Sequence, residues 1–159
     1  MSAANPNWAR WVFASVSKHF DDRRSGIHMF IEGQHRDTRE LKDYFELRVD
    51  GPTLLEVSKG CWKLRVEVNI LATATFDEAN YHTIHTLAGI AQAAFTTIEV
   101  YKYGINIQDD QTFLGCLILR QNRSTRDFLE LNHFGRIDVS IPLMQATVEG
   151  HYTMTLNTA

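Results

Sequence analysis

Nine consecutive residues constrain this chain more than any others: Trp62, Leu64, Val66, Val68 and Ile70 alternate with Lys63, Arg65, Glu67 and Asn69 before Ile70 closes the run. A side-chain period of two belongs to an extended strand with one dry face and one wet face. Just upstream, Phe45, Leu47 and Val49 alternate with Glu46, Arg48 and Asp50; Gly51-Pro52 interrupts, and the run resumes from Leu54 to Val57. Ser58-Lys59-Gly60 supplies a turn between the two runs, so the pattern predicts an antiparallel hairpin. On its polar side Arg48, Arg65 and Glu67 are placed for cross-strand ion pairs, each contributing a few tenths of a kcal/mol when exposed.

A hairpin with one apolar face needs something to cover it, and two segments have helical rather than strand periodicity. Trp8, Trp11, Val12, Val16 and Phe20 fall on one helical face, with Asn5-Pro6-Asn7 as start signal and an end between Asp21 and Gly26. Aromatic residues on such a stripe pack inward, although a pair of tryptophans can also serve as an exposed anchor for a partner. The second stripe is Ile84, Leu87, Ala88, Ala91 and Phe95, with Thr75 or Asp77 as candidate cap. Its small residues let the helix lie close to a sheet on one side and to a neighbouring subunit on the other. Between first helix and hairpin, residues 21–43 form a long charged connection containing Arg23, Arg24, Arg36 and Arg39 around one short strand, Ile27 to Ile31. That connection reads either as a docking loop for another protein or as a solvated surface loop.

After the second helix the pattern is strands: Ile98 to Tyr103, Phe113 to Leu119, Phe128 to Leu131, Ile137 to Ile141 and Val148 to Leu156. The expected fold is α+β over residues 1–159 as a single domain, an antiparallel or mixed sheet with both helices packed on it.

Composition limits the function classes. With 16 basic and 19 acidic residues the net charge is -3, which argues against a protein that grips nucleic acid by general electrostatics. No apolar run reaches the roughly 20 residues of a membrane span, and residues 1–8 lack a secretory pattern, so a cytosolic or virion protein is expected. Cys61 and Cys116 have no zinc or redox spacing and read as small buried apolar groups. His82 and His85 share a helix face, but neither a third ligand nor a neighbouring carboxylate base accompanies them. Asp21-Asp22 and Asp109-Asp110 read as solvated loop carboxylates, and no phosphate loop or nucleophile elbow is present. No catalytic residue, cofactor or metal is therefore expected. The competing reading is a small enzyme or ligand-binding domain titrating through His82, His85 or His133.

The element order, the strand Trp62-Lys63-Leu64-Arg65-Val66-Glu67-Val68 and the closing strand Ala146 to Met154 resemble the lambda-type tail terminator proteins of long-tailed bacteriophages. The charged 21–43 connection departs from that family's pattern. The resemblance implies a virion protein without catalytic activity. It would form a hexameric ring on the last ring of tail-tube protein, stop tube polymerisation, and offer its other side to head-completion or neck proteins. DNA would only pass through the lumen, and no membrane would be involved. It also implies subunit contacts at Arg23, Arg24, Arg36 and Arg39 and at the helix carrying Ala88 and Ala91, with Arg36→Glu plus Arg39→Glu yielding monomers. A neck, baseplate or capsid-associated component is the alternative within the same class.

Overall fold

A computed structural model of the chain describes residues 6–32, 34, 41–75, 82–103, 112–124, 126–138 and 141–157. Within them the order is α1 (Trp8–Asp21), β1 (His28–Ile31), β2 (Asp43–Ser58), β3 (Cys61–Thr75), α2 (Thr83–Ala94), β4 (Ile98–Lys102), β5 (Thr112–Arg120), β6 (Leu129–Asp138) and β7 (Ile141–Asn157). The fold is α+β, with two helices on a mixed, curled sheet of seven strands in the order β1-β2-β3-β7-β5-β4, β6 also pairing with β7. No described helix is long and apolar enough to cross a membrane.

The alternating run sits at the centre. Leu64, Val66, Val68 and Ile70 are buried on one side of β3, opposite Met154, Tyr152, Gly150 and Val148 of β7. β2 is a single strand rather than two: the Gly51-Pro52 interruption is a register shift between Asp50 and Thr53, after which pairing with β3 resumes to Ser58. β1 joins the other edge of β2 in parallel, and only over Tyr44 to Leu47. Beyond Leu47, β2 therefore runs out along β3 as an arm whose other edge is paired by no strand among the described residues. Strand β7 changes neighbours midway on its side away from β3: Gly150 still pairs with Leu129 of β6, while His151 pairs with Arg120 of β5. Of the strand expected over Ile137 to Ile141, Ile137 and Asp138 end β6 and Ile141 begins β7, paired with Asp138, while residues 139 and 140 lie outside the described residues.

Both helices cover the same side of the sheet, α1 against β4 and β2, and α2 against β3 and β7. All five stripe residues of α1, from Trp8 to Phe20, are buried, so the tryptophans are core and not an exposed anchor. The helix is latched to β4 by polar contacts as well. Trp11 Nε1 and Arg10 Nη2 donate to Tyr103 O at 2.9 and 3.0 Å, and Ser15 Oγ accepts from the Tyr101 amide at 3.1 Å. These contacts occupy the outer edge of β4, which would otherwise offer free amides and carbonyls to another strand.

The start of α1 falls where its signal predicts, but the caps differ from expectation. Asn7 holds the N-cap position of α1 without a side-chain cap bond, and Pro6 precedes the helix. At α2 that position is His82, again without a side-chain cap bond. Thr75 belongs to β3, its hydroxyl donating to Lys42 O at 2.8 Å, and Asp77 lies outside the described residues. Cys61 and Cys116 are free and only partly buried, not the buried apolar groups expected; Cys116 lines a groove beside α1.

Candidate functional site

Strand register places the candidate surface on the side of the sheet that the helices leave bare. Directly paired residues point the same way, so successive rows across β2, β3, β7 and β5 can be followed along the arm. Leu55, Lys63 and Thr155 form one row. Thr53, Arg65, Thr153 and Ile118 form the next. Then come Glu67, His151 and Arg120 with Asp50 beside Glu67, and finally Arg48, Asn69, Glu149 and Glu130. Positive charge gathers toward the arm and negative charge toward the body.

The positive end is a groove of about 620 Å³ lined by Lys63, Arg65, Leu119, Arg120, Gln121, Asn122, Arg123, Phe128, His151 and Thr153. Four side chains among these carry permanent positive charge and none is a carboxylate, in a protein whose net charge is -3. Arg120 Nε donates to Thr153 Oγ1 at 2.9 Å, which holds its guanidinium across β5 and β7. The expected cross-strand pairs do not form: Arg48 turns along its own strand to Glu46, 3.8 Å away, and Glu67 accepts from Asn69 at 3.2 Å. Arg65 is left facing the groove.

At the negative end, Glu67, Glu149 and His151 bring one ligand-capable atom each to within 4.8 Å of one another. His151 Nε2 lies 3.1 Å from Glu149 Oε1, within ion-pair reach, but out of line for a hydrogen bond, so the ring nitrogen is buried without a partner. Partial burial, then the neighbouring Glu67 carboxyl, push the Glu149 carboxyl above its ordinary pKa, against the pull of His151. Two carboxylates and an imidazole suit a divalent transition metal as donors, while exposed acidic groups adopt the same spacing in the absence of any ion. The trio escapes sequence reading because Glu67 stands far from the other two in the chain, and only the β3–β7 register joins them.

The residues singled out by sequence are placed elsewhere. Arg23 Nη1 donates to His19 O at 3.1 Å, and Arg24 Nη1 donates to Ile27 O at 3.0 Å, with Arg24 Nε 3.2 Å from Asp21 Oδ1. Both arginines thus satisfy backbone carbonyls at the end of α1 and just after it. Ala88 and Ala91 are buried in the protein's own core, so a subunit contact by α2 has to use its outer residues Thr86, Gly89, Ile90 and Ala93, which line a shallow groove beside Arg23. Arg36, Arg39, Asp109 and Asp110 lie outside the described residues. The rings of His85 and His133 lie 4.5 Å apart between centroids and are tilted at 49°, both side chains exposed. Neither they nor His82 line the bare-side groove or those beside α1 and α2.

Sequence periodicity also gave no sign of an exposed apolar set. Leu55 and Val57 on the arm are 54% and 62% exposed, and Phe113, Ile118 and Phe128 near β5 are 54%, 45% and 54% exposed. No protein-family model matches this sequence, and no curated protein matches it.

Proposed function

We propose that this chain is a ring-forming structural protein of the bacteriophage tail terminator class, seated at the head-proximal end of the tail tube. In that place it ends tube polymerisation and presents its other side to head-completion proteins. It catalyses no reaction, and DNA passes through the lumen of its ring.

One observation carries the reading: apart from Phe13 on α1, Phe113 at the start of β5 and Phe134 on β6, the large exposed apolar side chains of the described residues form two pairs on different flanks of the sheet. Leu55 and Val57 stand on β2, while Ile118 and Phe128 stand at β5 and the turn after it, with two strands, β3 and β7, between them. Four strands side by side place the flanks roughly 14 Å apart. Apolar patches of this kind on a small protein mark surfaces that another chain covers. Two unlike patches on opposite flanks suit a head-to-tail contact, in which one patch of each copy meets the other patch of the next, and such contacts close into rings when the rotation permits. The element order and the closing strand that resemble the terminator family supply the particular assignment.

The test is the absolute mass in solution, by light scattering on a sizing column, alone and with tail-tube protein. A hexamer, or a monomer that becomes a ring on meeting the tube, is the expected result. Leu55→Asp with Val57→Asp should abolish it. A wild-type monomer indifferent to concentration and to tube protein would overturn the reading.

A further inference from the structure

We infer that the cationic groove of one copy receives the β2 arm of a second copy, so that residues 50–58 of one subunit lie across Arg65, Arg120, Arg123 and Phe128 of the next. The inference rests on the ring reading only for the claim that copies of this chain associate.

Charge supplies the first argument. The groove holds Lys63, Arg65, Arg120 and Arg123 with no carboxylate among its lining residues, whereas residues 50–58 contain Asp50 and Glu56 and no basic residue. Opposite potentials on two surfaces of one molecule orient copies head to tail and raise the encounter rate. Apolar surface supplies the second. Leu55 and Val57 are more than half exposed on the arm, Phe128 is 54% exposed in the groove, and Ile118, at 45%, pairs with the lining residue Thr153. Contact between these side chains removes from water the apolar area that the folded monomer leaves wet.

The arm is also available. Among the described residues β1 covers β2 only from Tyr44 to Leu47, and beyond that point no other described strand pairs with its outer edge. It cannot fold back into its own groove, because β2 is held in register on β3 as far as Ser58, two strands away from β5. A second copy meets neither obstacle. Duplex DNA is disfavoured in the same groove: its charge recurs about every 1.7 Å along the axis, and Asp50, Glu67, Glu149 and Glu130 border the groove on the body side.

Two charge-reversed proteins test this, one altered on the arm (Asp50→Lys with Glu56→Lys) and one in the groove (Arg120→Glu with Arg123→Glu). Each alone should associate at least tenfold more weakly than wild type, with an unchanged unfolding midpoint. Mixed in equal amounts they should recover the wild-type mass, because each reversed arm then meets a reversed groove and each native arm a native groove; a misfolded variant could not do this. Wild-type assembly by either variant alone, or no recovery on mixing, overturns the inference and leaves the ring reading standing. A groove variant that assembles normally but no longer retains duplex DNA would assign the groove to nucleic acid and overturn it as well. A wild-type protein that stays monomeric alone and with tube protein overturns both.

Discussion

Gly150 lies directly beneath the ring of Phe95: a Cβ at residue 150 would stand 2.7 Å from Phe95 Cδ1 and 2.8 Å from Cε1, with Leu119 Cδ1 at 3.0 Å. The glycine is in the middle of β7, where a side chain would ordinarily add β-propensity, and its absence is what allows the residue after α2 to settle on the sheet. Gly150→Ala should therefore destabilise the fold by about 1–3 kcal/mol through overpacking. The check is a urea unfolding midpoint, expected to fall without a change of slope. An unchanged midpoint would mean that Phe95 moves aside freely.

Phe95 is itself stacked on Tyr152, with ring centroids 6.2 Å apart and planes at 13°. Tyr152 is fully buried, and its hydroxyl donates to Thr96 O at 2.9 Å. Burial raises the pKa of this phenol, so it remains a donor throughout the ordinary pH range. Tyr152→Phe keeps the packing and strands the Thr96 carbonyl, a loss of about 1 kcal/mol. Combined with Gly150→Ala the two effects should not add, since both act on Phe95; strict additivity in a double-mutant cycle would contradict the shared contact.

Glu149 has a pH signature of opposite sense to most carboxyls. Its folded pKa is raised above the ordinary 4.5 by burial and by Glu67, so the folded state holds the proton more tightly than the unfolded chain does. Stability from this group is present below pH 4.5 and is lost as pH rises through the folded value. Glu149→Gln should accordingly be neutral in acid and stabilising at pH 7, by about 0.5 kcal/mol, the scale of a cross-strand pair of like charges. Denaturant titrations at pH 4 and pH 7 measure both differences, and equal differences would exclude the mechanism.

Much of the fold is written in local periodicity. The alternation in β3 and the stripe of α1 each follow from which side of an element is dry, and a period needs only neighbouring residues to be visible. Strand extent was less legible: Gly51-Pro52 looks like a break but is absorbed as a register shift because β3 continues to pair on both sides of it. The candidate surface was hardly legible at all. Arg65 sits in the alternating run, yet Arg120 and Arg123 come from a distant loop and strand end, and only the β5–β7 pairing brings them to the same groove. Arg23 and Arg24 belong to a charged segment, yet their guanidinium groups turn back to backbone carbonyls. Charge density along a sequence does not report which charges the chain itself consumes.

His19 gives the last prediction, because it couples α1 to the chain leaving α2 through a buried, ionisable imidazole. The side chain is buried, with Nε2 2.9 Å from Ala94 O and 3.4 Å from Thr96 Oγ1. A carbonyl can only accept, so Nε2 carries the proton and donates to Ala94 O. Burial is the main cause that lowers its pKa from 6.5, reinforced by Arg23 and opposed by the Ala94 bond and by Asp22. The unfolded chain therefore takes up a proton first as pH falls below 6.5, while the folded protein resists it, and stability present above that value drains away toward the lower folded pKa. His19→Gln retains a donor but cannot titrate. Unfolding free energies measured from pH 7.5 down to pH 5 should show wild type losing stability more steeply than the variant, and parallel curves would show that the imidazole charges without cost.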